Sequence, residues 1–197
     1  MRKAPLRYQS TEYDCGPVAI MNAISCVCDF SDIPVSVLKM VYNATLDKCN
    51  QTGYVGWEGT TLESMEFVAN WLNHFYSKVG FPELTCKVLK GDEVSFKKDS
   101  ELLQWLKQEN VVVLIYCKLY NKHYVVLTDA DDEFVYLWDS YYWDIDYNDE
   151  RIVRINDEPF RANRKLSIDF LDTNNEGIYY NVNCYKDHFA ILFTGKK

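Results

Sequence analysis

In the segment "YQSTEYDCGPVAIMNAI", Tyr8–Ile24, a cysteine stands directly before a glycine and a proline, and apolar residues follow at helical spacing. The apolar positions recur at i, i+3, i+4 and i+7, as Ile20, Ala23, Ile24 and Val27. This repeat is typical of one face of a helix, and Pro17 suits the first turn because no intrahelical partner is needed there. The sequence therefore predicts a helix that begins just after Gly16, with the thiol of Cys15 at its N-terminus.

The length and charge of the chain limit its class. At 197 residues, with 48% hydrophobic side chains, it fits a single domain, 1–197, that buries a sizeable core. The formal net charge is −8 and no cluster of Lys and Arg is present. This balance argues against a nucleic-acid partner, because binding to phosphates needs clustered positive charge.

No part of the sequence is predicted to cross a membrane. The longest apolar run, Val111–Cys117, has the length of a strand and falls well short of the roughly 20 residues that span a bilayer. The opening residues "MRKAPLRYQS" lack the apolar core of a signal peptide, and the seven cysteines are an odd number. We therefore expect a cytoplasmic protein without intramolecular disulfides.

The first half of the chain is predicted to be mainly helical. A second helix is expected over about 31–42, followed by a polar loop, Asn43–Gly59. Thr60 and Glu63 form a capping-box pattern ahead of a third helix. The apolar face of that helix is formed by Met65, Val68, Leu72 and Phe75. A shorter helix is expected after a cap near Ser100.

The second half of the chain is predicted to be mainly strand. Three β-branched and aromatic runs, separated by short polar turns, predict an antiparallel meander: Val111–Cys117, His123–Asp129 and Glu133–Asp139. Two later runs predict further strands: Gly177–Cys184 and His188–Phe193. Helices followed by strands is the order of α+β proteins. The expected fold is a helical layer that carries Cys15, packed on a C-terminal antiparallel sheet.

The position of Cys15 suits a nucleophile. A helix N-terminus leaves backbone N–H groups unpaired and concentrates positive potential, which stabilises the thiolate, the reactive form of the side chain. Gly16 would let a substrate carbonyl approach the backbone closely. The side-chain amide of Gln9 and the backbone N–H of Cys15 could donate to an oxyanion. The alternative is a buried structural thiol.

A thiol nucleophile also needs a base, and the base needs a group that orients its ring. The chain offers three histidines, His74, His123 and His188. Only His123 is followed by a carboxylate at the end of the next predicted strand, Asp139, and a hairpin would bring the two together. Asp187 precedes His188 directly, but adjacent residues of a strand point to opposite faces. His123 is therefore the predicted base and Asp139 its orienting residue.

These residues resemble the papain-like cysteine peptidases. "Q-x5-C-G-P" before a helix, "H-Y-V-V-L" at a strand start and "D-S" after the next strand are similar, in order and spacing, to the bacteriocin-processing C39 peptidase family and its stand-alone relatives. The resemblance implies a papain-like fold in which Cys15 is the nucleophile, His123 the base, Asp139 the orienting residue and Gln9 the oxyanion donor. Ser140 stands where the family commonly has proline. The predicted chemistry needs no cofactor and no metal.

The other cysteines are predicted to be structural. Cys26 and Cys28 form a C-x-C pair, but zinc needs four ligands and these two thiols would lie on different sides of a helix, so both are expected to be buried. Three more are expected in the core, within strand-like runs: Cys86, Cys117 and Cys184. Cys49 lies in the polar loop and has no evident role.

Two later segments rich in polar residues are also informative. Ser140–Glu150 alternates aromatic and acidic residues and forms either one wall of a substrate groove or a solvated edge hairpin. Asn163–Lys165 is a small basic segment and is expected to be a solvated turn.

Three functions fit these features. The leading hypothesis is a thiol hydrolase that cleaves a peptide or other amide bond in a peptide or protein substrate, through an acyl-enzyme on Cys15. A second is an acyltransferase that uses the same residues and passes the acyl group to an amine or thiol. A third is a binding or scaffold protein of the same fold, in which the thiol does not react.

Overall fold

Five helices and seven strands make up the described part of the protein. A computed structural model describes residues 5–79, 84–172, 179–182 and 188–195. The helices are α1 (Cys15–Val27), α2 (Val35–Ala44), α3 (Leu62–Val79), α4 (Glu101–Leu106) and α5 (Ile168–Asp172). The strands are β1 (Thr85–Lys90), β2 (Val111–Leu119), β3 (Asn121–Ala130), β4 (Phe134–Trp138), β5 (Ile152–Arg154), β6 (Arg164–Ser167) and β7 (Phe189–Thr194).

The strands form one open antiparallel sheet in the order β1-β7-β2-β3-β4-β6-β5. Because β2, β3 and β4 are successive neighbours, the predicted meander is confirmed. The predicted strand His188–Phe193 corresponds to β7, which begins one residue later, at Phe189, and inserts between β1 and β2. Of the predicted strand Gly177–Cys184, only 179–182 are described, and Asn181 there forms a single bridge to Lys118. The rest of that prediction lies outside the described residues.

Both faces of the sheet are covered. Successive residues of a strand point to opposite faces. In β2, Val112 and Leu114 pack into the core formed with α1, α2 and α3, whereas Val113 and Ile115 pack into a second core with α4 and α5. The α+β fold class and the helical layer that carries Cys15 are confirmed, but the second layer was not predicted. A continuous apolar run such as β2 is typical of a strand that is buried on both faces.

The first two helices begin at other residues than the sequence predicts. α1 begins at Cys15 itself, so that Gly16 lies inside its first turn. α2 begins later than expected, at Val35, because the extended backbone of Pro34 forms its N-cap. Ser31 and Asp32, predicted as the start of this helix, instead belong to a separate 3-10 turn, Phe30–Asp32.

The third helix is capped one residue later than predicted. Oγ1 of Thr61 accepts a hydrogen bond from the N–H of Ser64 at 3.1 Å, which makes Thr61 the capping residue. The predicted capping box of Thr60 and Glu63 is therefore wrong. Oγ1 of Thr60 instead accepts a hydrogen bond from the N–H of Leu46 at 3.1 Å. The predicted apolar face is correct for its three fully buried members: Met65, Val68 and Leu72.

Among the described residues, no helix combines the length and the apolar character needed to cross a membrane.

Candidate active site

Cys15 lies buried at the N-terminus of α1, with 6% of its surface exposed. Asp14, the N-cap residue, does not cap the helix with its side chain. Its carboxylate instead accepts hydrogen bonds from the backbone N–H groups of Ser10 and Thr11, at 3.0 and 2.8 Å. The start of α1 beside the thiol is therefore left without a side-chain cap.

Gly16 is required by packing. A Cβ at Gly16 would lie 2.5 Å from Oγ1 of Thr60, and that hydroxyl is fixed by its hydrogen bond to the N–H of Leu46. Any larger residue at position 16 would push the helix start away from the loop that precedes α3. The predicted approach of a substrate carbonyl over Gly16 stays a prediction.

His123 and Asp139 are in direct contact. Nε2 of His123 lies 2.8 Å from Oδ1 of Asp139, and both side chains are buried. The sheet register explains this contact, because Val126 of β3 pairs with Trp138 of β4. Asp139 therefore lies opposite Val125, two residues from His123 and on the same face. The structure brings the two predicted residues together, while their catalytic roles stay predictions.

The two side chains stabilise each other's charged forms. Burial lowers the pKa of His123, but the charge and hydrogen bond of Asp139, with a smaller contribution from Cys15, raise it to about 10. Burial raises the pKa of Asp139, yet the pKa is lowered overall because His123, the N–H of Tyr141 and the hydroxyl of Tyr180 stabilise the carboxylate. Imidazolium and carboxylate are thus the favoured forms at neutral pH.

The thiol of Cys15 lies beside the same imidazole, because both side chains line one cleft. A hydrogen bond with Cys15 is among the influences that raise the pKa of His123. Because Nε2 is held by Asp139, Nδ1 is the ring nitrogen that remains for the thiol. Tyr124, the next residue after His123, is also buried, and its hydroxyl donates to the carbonyl of Thr60 at 3.2 Å. Cysteine, histidine and carboxylate are therefore arranged in series.

A cleft of about 800 Å³ opens at Cys15 and His123. One of its walls carries three aromatic side chains, Tyr120, Tyr141 and Trp143. Charged residues of both signs also line the cleft, two acidic and two basic: Glu12, Glu58, Lys48 and Lys122. A cleft of this size can hold a small molecule or a short segment of an extended chain.

The segment Ser140–Glu150 forms a wall of this cleft. The ring centroids of Tyr141 and Trp143 lie 5.7 Å apart in an edge-to-face arrangement, and Trp143 lies 4.9 Å from Tyr120. The segment contains no strand, so the alternative of an edge hairpin is wrong. Tyr141 also stands edge-on to His123 at 6.4 Å, which places the aromatic wall beside the imidazole.

The predicted loop Asn43–Gly59 begins two residues later than predicted, because Asn43 and Ala44 end α2, and its residues Lys48, Glu58 and Gly59 line the cleft. It contains a tight reversal in which Cys49 bridges Val55. Trp57, 54% exposed, stacks on Tyr13 with ring centroids 6.2 Å apart. Since Tyr13 lines the cleft two residues before Cys15, this loop extends the cleft wall beyond the sheet.

Gln9 lies next to the Asp139 segment rather than in the lining of the cleft. Its backbone N–H donates to the carbonyl of Ser140 at 2.8 Å, and its Oε1 accepts from the Ser140 hydroxyl at 2.9 Å. Nε2 of Gln9 donates to the carbonyl of Thr11 at 2.8 Å. One N–H of the amide group is thereby used, and the other is left for a further acceptor. The predicted oxyanion role of Gln9 stays a prediction.

Sequence reasoning missed Asn163, which holds Asp139 in place. Oδ1 of Asn163 accepts the backbone N–H of Asp139 at 2.8 Å, and Nδ2 donates to the Asp139 carbonyl at 2.7 Å. Asn163 and Arg164 are both buried, so the predicted solvated turn at Asn163–Lys165 is wrong. Arg164 begins β6, which pairs with β4, and this pairing brings the segment to Asp139.

Three further residues of the site carried no sequence signal. The Tyr180 hydroxyl donates to Oδ2 of Asp139 at 2.7 Å. The hydroxyls of Tyr180 and Tyr147 are 3.0 Å apart, and Nε of Arg164 donates to the Tyr147 hydroxyl at 2.8 Å. The side chains of these three residues and of Asp139 are buried. A continuous chain of hydrogen bonds therefore joins Asp139 to Arg164.

The remaining described cysteines do not form a second site. No disulfide joins the described cysteines, which are Cys15, Cys26, Cys28, Cys49, Cys86 and Cys117. Cys28 is buried as predicted, whereas Cys26 is only half-buried. Burial, helped by Asp32 and Asp29, raises the pKa of Cys28 to about 11. Within the described ranges, no group of three His, Cys, Asp or Glu residues could hold a metal ion. Cys184 lies outside the described residues.

No protein-family model matches the chain, and no curated protein matches its sequence.

Proposed function

We propose that the protein is a papain-like thiol hydrolase, similar to the stand-alone relatives of the C39 peptidases, that cleaves a peptide or other amide bond. One observation carries the proposal. The Cys15 thiol lies at a helix N-terminus and lines the same cleft as His123, whose Nε2 is 2.8 Å from the buried Asp139. A thiol, a base beside it and a group that orients the base are the parts that covalent catalysis by cysteine requires.

The first step forms the acyl-enzyme. Sγ of Cys15 attacks the carbonyl carbon of the substrate, a C–S bond forms, and the carbonyl electrons move to the oxygen. When this oxyanion collapses, the C–N bond breaks and the His123 imidazolium gives its proton to the departing amine. Asp139 keeps the ring oriented and stabilises its charge throughout.

The second step releases the acyl group. His123, now neutral, takes a proton from water while the water oxygen attacks the thioester carbon. The C–S bond then breaks, the acid leaves, and Cys15 returns to the thiolate beside the imidazolium. Both steps pass through an oxyanion, which the uncapped start of α1 and the amide of Gln9 would stabilise.

The cleft favours an extended peptide or protein segment as substrate. It is open, about 800 Å³ in volume, and lined by aromatic and by oppositely charged side chains. Such a lining suits a chain with mixed side chains. An acidic chain with a net charge of −8 also prefers neutral or basic partners over anionic ones.

Trapping the acyl-enzyme tests this function. We expect p-nitrophenyl acetate, used as an activated acyl donor, to release p-nitrophenol in a burst and leave an acetyl group on the Cys15 peptide after acid quenching. Cys15→Ala should lose the burst, and Cys49→Ala, which removes an exposed thiol, should retain it. Glycine amide added to the reaction separates the two enzyme classes, because a hydrolase releases acetate and a transferase forms acetylglycine amide. Acetylation spread evenly over the cysteines would contradict both.

A further inference from the structure

Two buried charges in this protein are connected although they do not touch. Asp139 and Arg164 are 1% and 4% exposed. The hydroxyls of Tyr180 and Tyr147 lie between them, and each of the three links is a hydrogen bond of 2.7 to 3.0 Å. Hydrogen bonds in a low dielectric polarise and strengthen one another. The two charges therefore interact more strongly through this chain than they would across the same distance in water.

The other partners of Arg164 are neutral. Nη1 donates to the carbonyl of Asn163 at 2.7 Å, and Nη2 donates to the carbonyl of Trp143 at 3.1 Å. A buried cation whose direct partners are neutral costs free energy unless a nearby anion offsets it. Burial lowers the pKa of Arg164, but Tyr180, Tyr147 and Asp139 raise it overall. The offsetting anion is therefore Asp139, reached through the two tyrosines.

We propose that Arg164, through Tyr147 and Tyr180, is a positioning residue of the active site that holds Asp139 ionised and keeps Cys15 and His123 as thiolate and imidazolium. The inference rests on the proposed role of Cys15 as the nucleophile. With Arg164 included, the buried groups alternate in sign from thiolate to imidazolium to carboxylate to guanidinium, and their charges sum to zero. Without Arg164 the same groups carry a net negative charge, so they take up a proton at higher pH.

Other titratable groups face this network and stay constant in the test. Tyr124 lies beside Cys15, and its pKa, like that of Tyr180, is raised by burial, so both stay neutral at acidic and neutral pH. Asp14 precedes Cys15, and the charged side chains of the cleft face the thiol: Glu12, Glu58, Lys48 and Lys122. Since none of them is altered in the variants below, a change between variants reports on Arg164 and its two tyrosines.

The test is the pH dependence of Cys15 alkylation by iodoacetamide, followed on the Cys15 peptide by mass spectrometry. The acid limb is the pH range in which the rate falls as thiolate is lost. In Arg164→Met, we expect this limb to move to higher pH by about one unit, so that alkylation slows roughly tenfold at a pH below the limb. Arg164→Lys keeps the positive charge but loses the planar guanidinium group. The acid limb of this variant should therefore stay within about 0.3 pH units of the wild-type position. An unmoved limb in Arg164→Met, or an equal shift in Arg164→Lys, would overturn the proposal.

A near-isosteric variant, Tyr180→Phe, keeps the test decisive if Arg164→Met does not fold. Tyr180→Phe removes one hydrogen-bond donor from the Asp139 carboxylate. The carboxylate then accepts more strongly from the N–H of His123, and the imidazolium stabilises the thiolate less. Its limb should move in the same direction by a smaller amount, and an unmoved limb would overturn the proposal. The matched controls are Tyr136→Phe, which removes a hydroxyl bound to the exposed Asp131, and Arg161→Met, which removes a surface arginine paired with Asp129. Neither control should move the limb.

The outcome separates this inference from the proposed function. A limb that moves in Arg164→Met, in a protein that never forms an acyl-enzyme from p-nitrophenyl acetate, would support the relay and contradict the hydrolase. Alkylation of wild-type Cys15 that shows no acid limb apart from that of an ordinary thiol would overturn both.

Discussion

The side-chain hydroxyl of Ser140 donates a hydrogen bond to Oε1 of Gln9 at 2.9 Å, and the carbonyl of Ser140 accepts the backbone N–H of Gln9 at 2.8 Å. Ser140 directly follows Asp139. These two hydrogen bonds therefore join the segment of Gln9, the proposed oxyanion donor, to the segment of Asp139, which orients the base. The bond also orients the amide group, because an oxygen that accepts from Ser140 leaves the NH2 group as the donor. A proline at position 140 could not make this side-chain bond.

Gln9→Ala should lower the rate of p-nitrophenyl acetate turnover by about 10² to 10³, the usual cost of losing one oxyanion donor. Ser140→Ala leaves the amide in place but removes its hydroxyl partner, and we expect a smaller loss of about tenfold. Steady-state rates, with urea denaturation to verify folding, measure both. A loss below tenfold in Gln9→Ala would assign the oxyanion role to other groups, such as the backbone at the start of α1.

Cys15→Ala should abolish turnover and leave the fold intact. The side chain is small and buried, and α1 gains no cap from it, so its removal leaves only a small void. Circular dichroism and the midpoint of urea unfolding measure the fold, and release of p-nitrophenol measures the activity. Turnover that persists in this variant at the wild-type rate would contradict the assignment of Cys15 as the nucleophile.

The three histidines should differ sharply on substitution. His123→Ala removes the base and should abolish turnover, and Asp139→Asn should impair it less because the ring keeps a hydrogen-bond partner. His188→Ala should change the rate by no more than a few fold, since His188 precedes β7 and lies outside the lining of the cleft. Loss of activity in His188→Ala, with activity retained in His123→Ala, would reverse the assignment.

The stability of the protein should fall as the pH rises through the titration of His123. Its pKa is raised from 6.5 to about 10 in the folded protein, so the protonated form binds its surroundings more strongly than in the unfolded chain. The resulting stabilisation is fully present below pH 6.5 and is lost as the pH approaches 10. Urea unfolding at several pH values should show this decline in wild type and in His74→Gln, which alters an exposed histidine, but not in His123→Gln. Equal slopes in all three proteins would contradict the ionic His123–Asp139 pair.

Local patterns were sufficient for the meander and for the His123–Asp139 contact. Alternating β-branched runs joined by short turns fix which strands are neighbours, and the hairpin places the start of β3 beside the end of β4. The apolar stripe of α1 likewise predicted the helix that carries Cys15. Neighbouring threonines produced the error at α3, because Thr60 and Thr61 satisfy the same local rule and only the tertiary bond of Thr60 to Leu46 decides between them.

The groups behind Asp139 could not be predicted from local patterns. Tyr147, Arg164 and Tyr180 come from three separate segments, and their contacts depend on the pairing of β6 with β4 and on the crossing of residues 179–182 past the end of β2. A short basic segment such as Asn163–Lys165 has the sequence pattern of a solvated turn. Its burial follows only from contacts with residues that are distant in the sequence, such as Asp139 and Tyr147. The second layer over the sheet was missed although the continuous apolar run of β2 indicates burial on both faces. That run does not reveal which elements cover the second face.

The most direct test of the central claim is the rate at which iodoacetamide alkylates each cysteine at pH 7, measured peptide by peptide in wild type and in His123→Ala. The account predicts fast alkylation of Cys15 alone, a loss of that rate in His123→Ala to the level of the exposed Cys49, and slow alkylation of Cys28, whose pKa is raised to about 11. Uniform slow alkylation of all cysteines in wild type, or a Cys15 rate that is unchanged in His123→Ala, would contradict it.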